Sequence, residues 1–213
     1  MITRVGLALA VALLVVGACA SDRSARAVGA RTGRPLTVMT FNVFHGEGAD
    51  HRVDLGRIAD VVRRAGADVV GLQEVDRHLD QRTDFADQTR DLGALLGMHT
   101  AFAPAADTPP AAGRTERRQY GVALLSRFPI DSPSFESLPR SPATEPRVIL
   151  RATIETPGAP LGVVVSHIGN GPGAEREEQA RALARTIGTD PSRTVLLVDA
   201  NGVPGSAQVR SLE

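Results

Sequence analysis

From residue 36 onward, short apolar runs alternate with stretches in which apolar residues recur every three or four positions. Residues 36–42 are apolar and β-branched and predict a buried strand. Asp54 stands where a helix N-cap belongs, ahead of Leu55, Ile58, Ala59 and Val62 on one face, and Gly66 stands where that helix should stop. Residues 68–75 predict a second strand, continuously apolar through Val69, Val70 and Leu72, as when both faces are covered. A second helix is predicted over 89–96, ending at Gly97, and a strand over 99–103. Residues 104–119 contain three prolines and read as a loop. Strands follow at 120–126, 148–156 and 161–166, the last two joined as a hairpin through Pro157-Gly158-Ala159-Pro160. A helix over 175–187 should turn Ala180, Leu183, Ala184 and Ile187 to one side, before a strand at 194–198 and a new helix starting near Ser206. Helices interspersed with both hairpin and crossover strands predict an α/β sandwich with mixed sheets.

The first residues follow another logic. One arginine, an apolar run from Val5 to Val16 and the small residues Gly17-Ala18 before Cys19 make a secretory signal pattern. The run is too short to span a bilayer comfortably. Its ending, Val16-Gly17-Ala18-Cys19, resembles the lipobox of bacterial lipoproteins, in which the cysteine is acylated. The expected organisation is therefore a signal peptide over 1–19, a Ser-, Arg- and Gly-containing tether over 20–35, and one domain over 36–213. It places the protein outside the cytoplasm, held to the cell membrane through a lipid on Cys19, with ordinary secretion as the alternative.

Composition narrows the function classes. Hydrophobic residues make up 42% and charged residues 23%, as in a folded domain. The 24 basic residues, all arginine, balance 24 acidic ones. That neutrality excludes a nucleic-acid surface built on bulk positive charge. Arg114, Arg117 and Arg118 form a small basic cluster, and it reads as a solvated loop. A single cysteine excludes an intrachain disulfide framework and a zinc site of several thiolates.

Candidate chemistry sits where strands end. Asn42, Glu74 after Gln73, His167, and Asp199 with Asn201 each close an apolar run. In layered α/β proteins these positions line the ligand crevice. A carboxylate held there is a natural ligand for a hard cation such as Mg²⁺, which takes oxygen donors and keeps waters. His45, just past Asn42, belongs at the rim of such a crevice; His51, His78 and His99 read as solvated or structural histidines.

Thr40-Phe41-Asn42-Val43, Gly71-Leu72-Gln73-Glu74-Val75-Asp76, Tyr120-Gly121-Val122-Ala123-Leu124-Leu125-Ser126-Arg127, Ser166-His167 and Val198-Asp199-Ala200-Asn201 occur in one order. In that order, and with Glu145-Pro146-Arg147 and Pro204-Gly205-Ser206 beside them, the chain resembles the endonuclease/exonuclease/phosphatase superfamily from about Leu36 to its last residue. The resemblance implies a four-layered α/β sandwich of two mixed sheets flanked by helices. It also implies a Mg²⁺-dependent phosphoesterase, with Mn²⁺ as a substitute, that hydrolyses a phosphodiester or phosphomonoester by metal-assisted attack of water. Carried over, Glu74 is the principal metal ligand with Asn42 beside it. Asp199 orients or deprotonates the water, Asn201 holds phosphoryl oxygens, His167 hydrogen-bonds the phosphate, and Arg147 joins Asn42, His167 and Asn201 in binding substrate. Two motifs depart mildly: Val198-Asp199-Ala200-Asn201 replaces Gly-Asp-Phe-Asn, and Ser166-His167-Ile168 replaces Thr-His-Leu. The family's terminal Ser-Asp-His motif does not occur up to Glu213. The sandwich is thus expected to be incomplete at its C-terminal end, and a catalytically inactive surface lipoprotein or binding module stands as the alternative.

Overall fold

Two four-stranded sheets lie face to face between layers of helix in the computed structural model, which describes residues 35–187 and 193–213. The signal peptide, Cys19 and nearly all of the tether lie outside the described residues. Among those described, no helix is long and apolar enough to cross a membrane.

The first sheet contains β1 (Val38–Asn42), β2 (Val69–Arg77), β3 (His99–Thr108) and β4 (Arg118–Ser126) in the order β1-β2-β4-β3. The second contains β5 (Ile130–Ser137), β6 (Val148–Ile154), β7 (Leu161–His167) and β8 (Thr194–Asp199) in sequence order. Each sheet has one parallel pair, β1 with β2 and β7 with β8, and antiparallel pairs elsewhere. Helices α1 (Leu55–Ala65) and α2 (Gln88–Leu96) cover the first sheet, and α3 (Gly173–Ile187) covers the second. A short α4 (Ala207–Arg210) packs on α3.

Strand alternation builds three core layers. Val70 and Leu72 of β2 face α1 and α2, joining Ala59, Val62 and Leu92. Val69 faces the other sheet, where Leu124, Leu150, Val163, Val165 and Leu197 fill the space between sheets. Ile149, Val164 and Ile168 meet Ala180 and Leu183 of α3. Gly71 lies where the sheets come closest: a Cβ there would stand 2.6 Å from the Cβ of Leu197.

Most predicted elements are present, with caps as expected. The Asp54 carboxylate accepts from the Arg57 N–H at 3.2 Å, and Gly66 and Gly97 close α1 and α2 in the left-handed conformation. Three differences have physical reasons. The proline-containing segment 104–119 is not all loop, since β3 runs on through Pro104 to Thr108 and β4 begins at Arg118. An edge strand tolerates a residue without an N–H, and a register shift between Pro104 and Ala106 absorbs the misfit. The polar segment Asp131–Ser137 is most of β5, another edge strand, which needs little apolar patterning because its side chains are largely exposed. On α3, Ala184 faces solvent and Gln179 is buried instead.

Candidate active site

β1 and β8 are edge strands of different sheets, and they lie against each other across the sandwich. Their parallel neighbours lie alongside them, with Asn42 opposite Gln73 and His167 opposite Asp199 in register; β7 ends there, while β2 runs on to Arg77. The C-terminal ends of β1, β7 and β8 therefore converge beside the middle of β2.

A bulge turns Glu74 into this convergence. Leu72 pairs with Ala123 and Val75 with Gly121, so two residues of β2 oppose one residue of β4. Gln73 is fully buried between the sheets, where its amide donates to Thr40 Oγ1 at 3.1 Å. Glu74 takes the left-handed conformation with φ 61°, and Val75 returns to the helix-facing core. Strict alternation would have driven Glu74 into the apolar layer beside Val70 and Leu72. The extra residue re-aims it to the strand edge, a common use of bulges.

There the Asn42 amide donates both hydrogens to carboxylates, to Glu74 Oε1 at 2.8 Å and to Asp199 Oδ2 at 2.9 Å. The Asn42 Oδ1 accepts from the Phe44 N–H at 3.0 Å, which fixes this orientation. Among the described residues, no arginine forms an ion pair with Glu74 or Asp199; Arg147, the buried cation of this region, is engaged by Glu145 at 2.9 and 3.3 Å. Two carboxylates sharing one amide with no arginine partner form an oxygen-rich anionic pair that suits a hard divalent cation. Among the described residues no three His, Cys, Asp or Glu side chains are grouped to cage a metal. The donor set therefore fits an ion that keeps waters rather than a closed structural site. In this geometry Asn42 orients Glu74, with its own oxygen spent on the backbone.

Asp199 and Asn201 form a compact turn. The Asn201 N–H donates to Asp199 Oδ1 at 3.0 Å, and its amide contacts His167 Nε2 at 2.9 Å and the Ile168 carbonyl at 2.8 Å. Because the Ile168 carbonyl can only accept, the Asn201 amide nitrogen must face it, and His167 Nε2 is left as an acceptor. The ring proton then sits on Nδ1, which is buried without a hydrogen-bond partner. Burial first, and then the nearby Arg147 charge, lower the His167 imidazole from 6.5 to about 4, against the opposing pull of Asp199. His167 is thus a neutral, buried ring whose Nε2 is taken by Asn201.

Three further groups near this centre carried no separate signal in the sequence. Tyr120 faces this centre: burial, followed by the charges of Glu74 and Glu145, raises its phenol, so it stays a proton donor. Arg176 Nη1 and Gln208 Nε2 both donate to the Asn201 carbonyl, at 3.2 and 3.0 Å. They clamp from α3 and from α4 a residue held at φ 44°. Tyr120 lay inside a quoted motif, whereas Arg176 and Gln208 look like ordinary helix-surface residues until the chain is folded.

The remaining histidines, His99 apart, and the basic cluster are engaged by other partners. His45 and His51 both contact Glu47, at 3.2 and 2.8 Å, and lower its carboxyl, His51 most. His78 bonds the Phe85 carbonyl at 2.9 Å, and His99 is exposed. Arg117 pairs with Asp107, Arg118 donates to the Leu79 carbonyl, and Arg114 lies 3.8 Å over the Phe85 ring. All three arginines are spent on local contacts.

Comparison with known proteins agrees with this architecture. The profile of the Endonuclease/Exonuclease/phosphatase family matches residues 39–213. Protein cwh43 of Schizosaccharomyces pombe is 36% identical over 144 residues, which are 66% of this chain but 14% of that protein. An endonuclease/exonuclease/phosphatase from Beutenbergia cavernae superposes with a TM-score of 0.67 at 27% identity, over 82% of this chain and 51% of that one. The mannosyl-6-phosphatase Bt3783 of Bacteroides thetaiotaomicron shares the fold at a TM-score of 0.63 and 19% identity, over 84% of this chain and 70% of that one.

Proposed function

The chain belongs to the endonuclease/exonuclease/phosphatase family, and on that footing we propose that it is a Mg²⁺-dependent phosphoesterase, with Mn²⁺ able to substitute. The observation that carries the reading is the pair of carboxylates, Glu74 and Asp199, brought from different sheets onto the single Asn42 amide. A bound divalent cation supplies fixed positive charge against the charge that builds on phosphoryl oxygens. Glu74 would hold it, kept in orientation by Asn42.

The protein's own groups do the rest. Each Asp199 oxygen already accepts one hydrogen bond, so the carboxylate is rigid, yet it keeps lone pairs for a water proton. It is partly exposed, with 28% side-chain accessibility, as a base that meets solvent-borne water must be. Asn201 lies beside it with both amide hydrogens spent on His167 and the Ile168 carbonyl, so its part is to hold Asp199 in place through its backbone N–H. Arg147 and the protonated Tyr120 supply positive charge and a donor on the Glu74 side. The substrate is a phosphodiester or phosphomonoester, and the protein meets it outside the cytoplasm, anchored through Cys19.

A chromogenic phosphodiester and monoester, assayed on the full chain with Mg²⁺, with EDTA and as Asp199→Ala, test this directly. Turnover of either ester that chelation and the substitution both abolish is the expected result. Turnover indifferent to both overturns the assignment.

A further inference from the structure

Phe44 combines two features that cost stability and sits beside the proposed phosphate centre. It opens a tight turn, Phe44–Gly46, in which three consecutive residues are left-handed, with φ of 45°, 44° and 83°. Glycine adopts this conformation freely, but a phenylalanine adopts it under strain. The turn is nevertheless firmly held: the Gly46 N–H donates to the Val43 carbonyl at 2.8 Å, and buried Gln88 donates to the His45 carbonyl at 2.7 Å. What the strain achieves is an orientation. His45 is buried, while Phe44, its ring tilted against the His45 ring at 4.5 Å between centroids, is 54% exposed.

Its backbone is one hydrogen bond from the amide that joins Glu74 and Asp199. Nor is the exposure random. Among the described residues five large apolar side chains are exposed, and three of them, Phe44, Val53 and Val203, lie on the segments that leave β1 and β8 at the convergent strand ends. An exposed ring whose backbone is hydrogen-bonded to a polar centre is matched to a ligand that is itself divided into a phosphate and an apolar group.

We propose that Phe44 is a specificity residue whose ring packs against an apolar, flat substituent on the phosphate of the substrate. The inference rests on the phosphoesterase reading and goes beyond it by naming the substrate class, a phosphate ester bearing an aromatic or similarly apolar group. The ring contributes dispersion and apolar burial to that group and nothing to the phosphate itself.

Phenylphosphonate and methylphosphonate carry the same head and differ only in the attached group. Their Kd values, measured by calorimetry on the full chain with Mg²⁺, isolate the contact from catalysis. Phe44→Ala should weaken phenylphosphonate about tenfold and change methylphosphonate by less than about twofold. Phe44→Gly should give the same selective loss and raise Tm, because it releases the left-handed strain. Equal loss for both ligands, no loss for either, or a lower Tm in Phe44→Gly overturns the proposal while leaving the phosphate site standing. If the wild-type chain binds neither phosphonate, the phosphoesterase reading falls and this inference with it.

Discussion

Asp199 shows how much of the account rests on single side chains. Its carboxylate is tethered by the Asn42 amide and the Asn201 N–H, so Asp199→Ala removes both a candidate base and the hub of the centre. Activity should fall by about 10²–10⁴-fold, the contribution usual for a positioned base, with far-UV circular dichroism unchanged. His167 makes a prediction about stability. Its folded value near 4 lies below its ordinary 6.5, so between those pH values the unfolded chain binds more protons than the folded one. Stability from this residue therefore rises with pH across that window and is level below it. The urea midpoint of His167→Gln should change less than that of the wild type between pH 4 and pH 6.5. At this scale the sequence was informative about residue types at strand ends. It could not show that His167 is buried, or that its ring meets Asn201, because both follow from pairing in register across β7 and β8.

At the scale of elements, apolar periodicity exposed the strands and helices that face a core, and it failed for the edges. Pro104 and the polar Asp131–Ser137 stretch sit in edge strands, where hydrogen bonding on one side suffices and burial is slight. The bulge in β2 was equally hidden, since nothing local marks Glu74 as left-handed; the pairing of β2 with β4 and the demand for core on both sides impose it. Two predictions belong here. Gly71→Ala places a methyl against Leu197 between the sheets and should cost about 1–3 kcal/mol of overpacking, measured by urea unfolding. Gln208→Leu removes one of two donors from the Asn201 carbonyl while keeping the side chain's bulk. It should lower kcat by about tenfold or more through misplacement of Asn201, while KM moves little. Parallel changes in both constants would assign Gln208 to substrate binding instead.

Across the whole molecule, each sheet contributes a parallel pair to the crevice: Asn42 and Glu74 come from one, His167 and Asp199 from the other. Neither half can assemble the Asn42, Glu74 and Asp199 contacts alone, so folding and site formation are one event. Family membership was readable from five short motifs because four of them are the segments that converge. Anchoring is argued from residues 1–19 alone. Cys19→Ser should shift the protein from the membrane to the soluble fraction of the cell envelope, and unchanged membrane retention would contradict lipid attachment.

The central claim, that Glu74 and Asp199 on the Asn42 amide form the metal-dependent hydrolytic centre, is tested most directly by Mg²⁺ titration of phosphate-ester hydrolysis. Wild-type activity should saturate with Mg²⁺, and Glu74→Gln should need at least about tenfold more of the ion while retaining its fold. Identical Mg²⁺ dependence in the two proteins, or hydrolysis that proceeds equally well without the ion, would contradict the account.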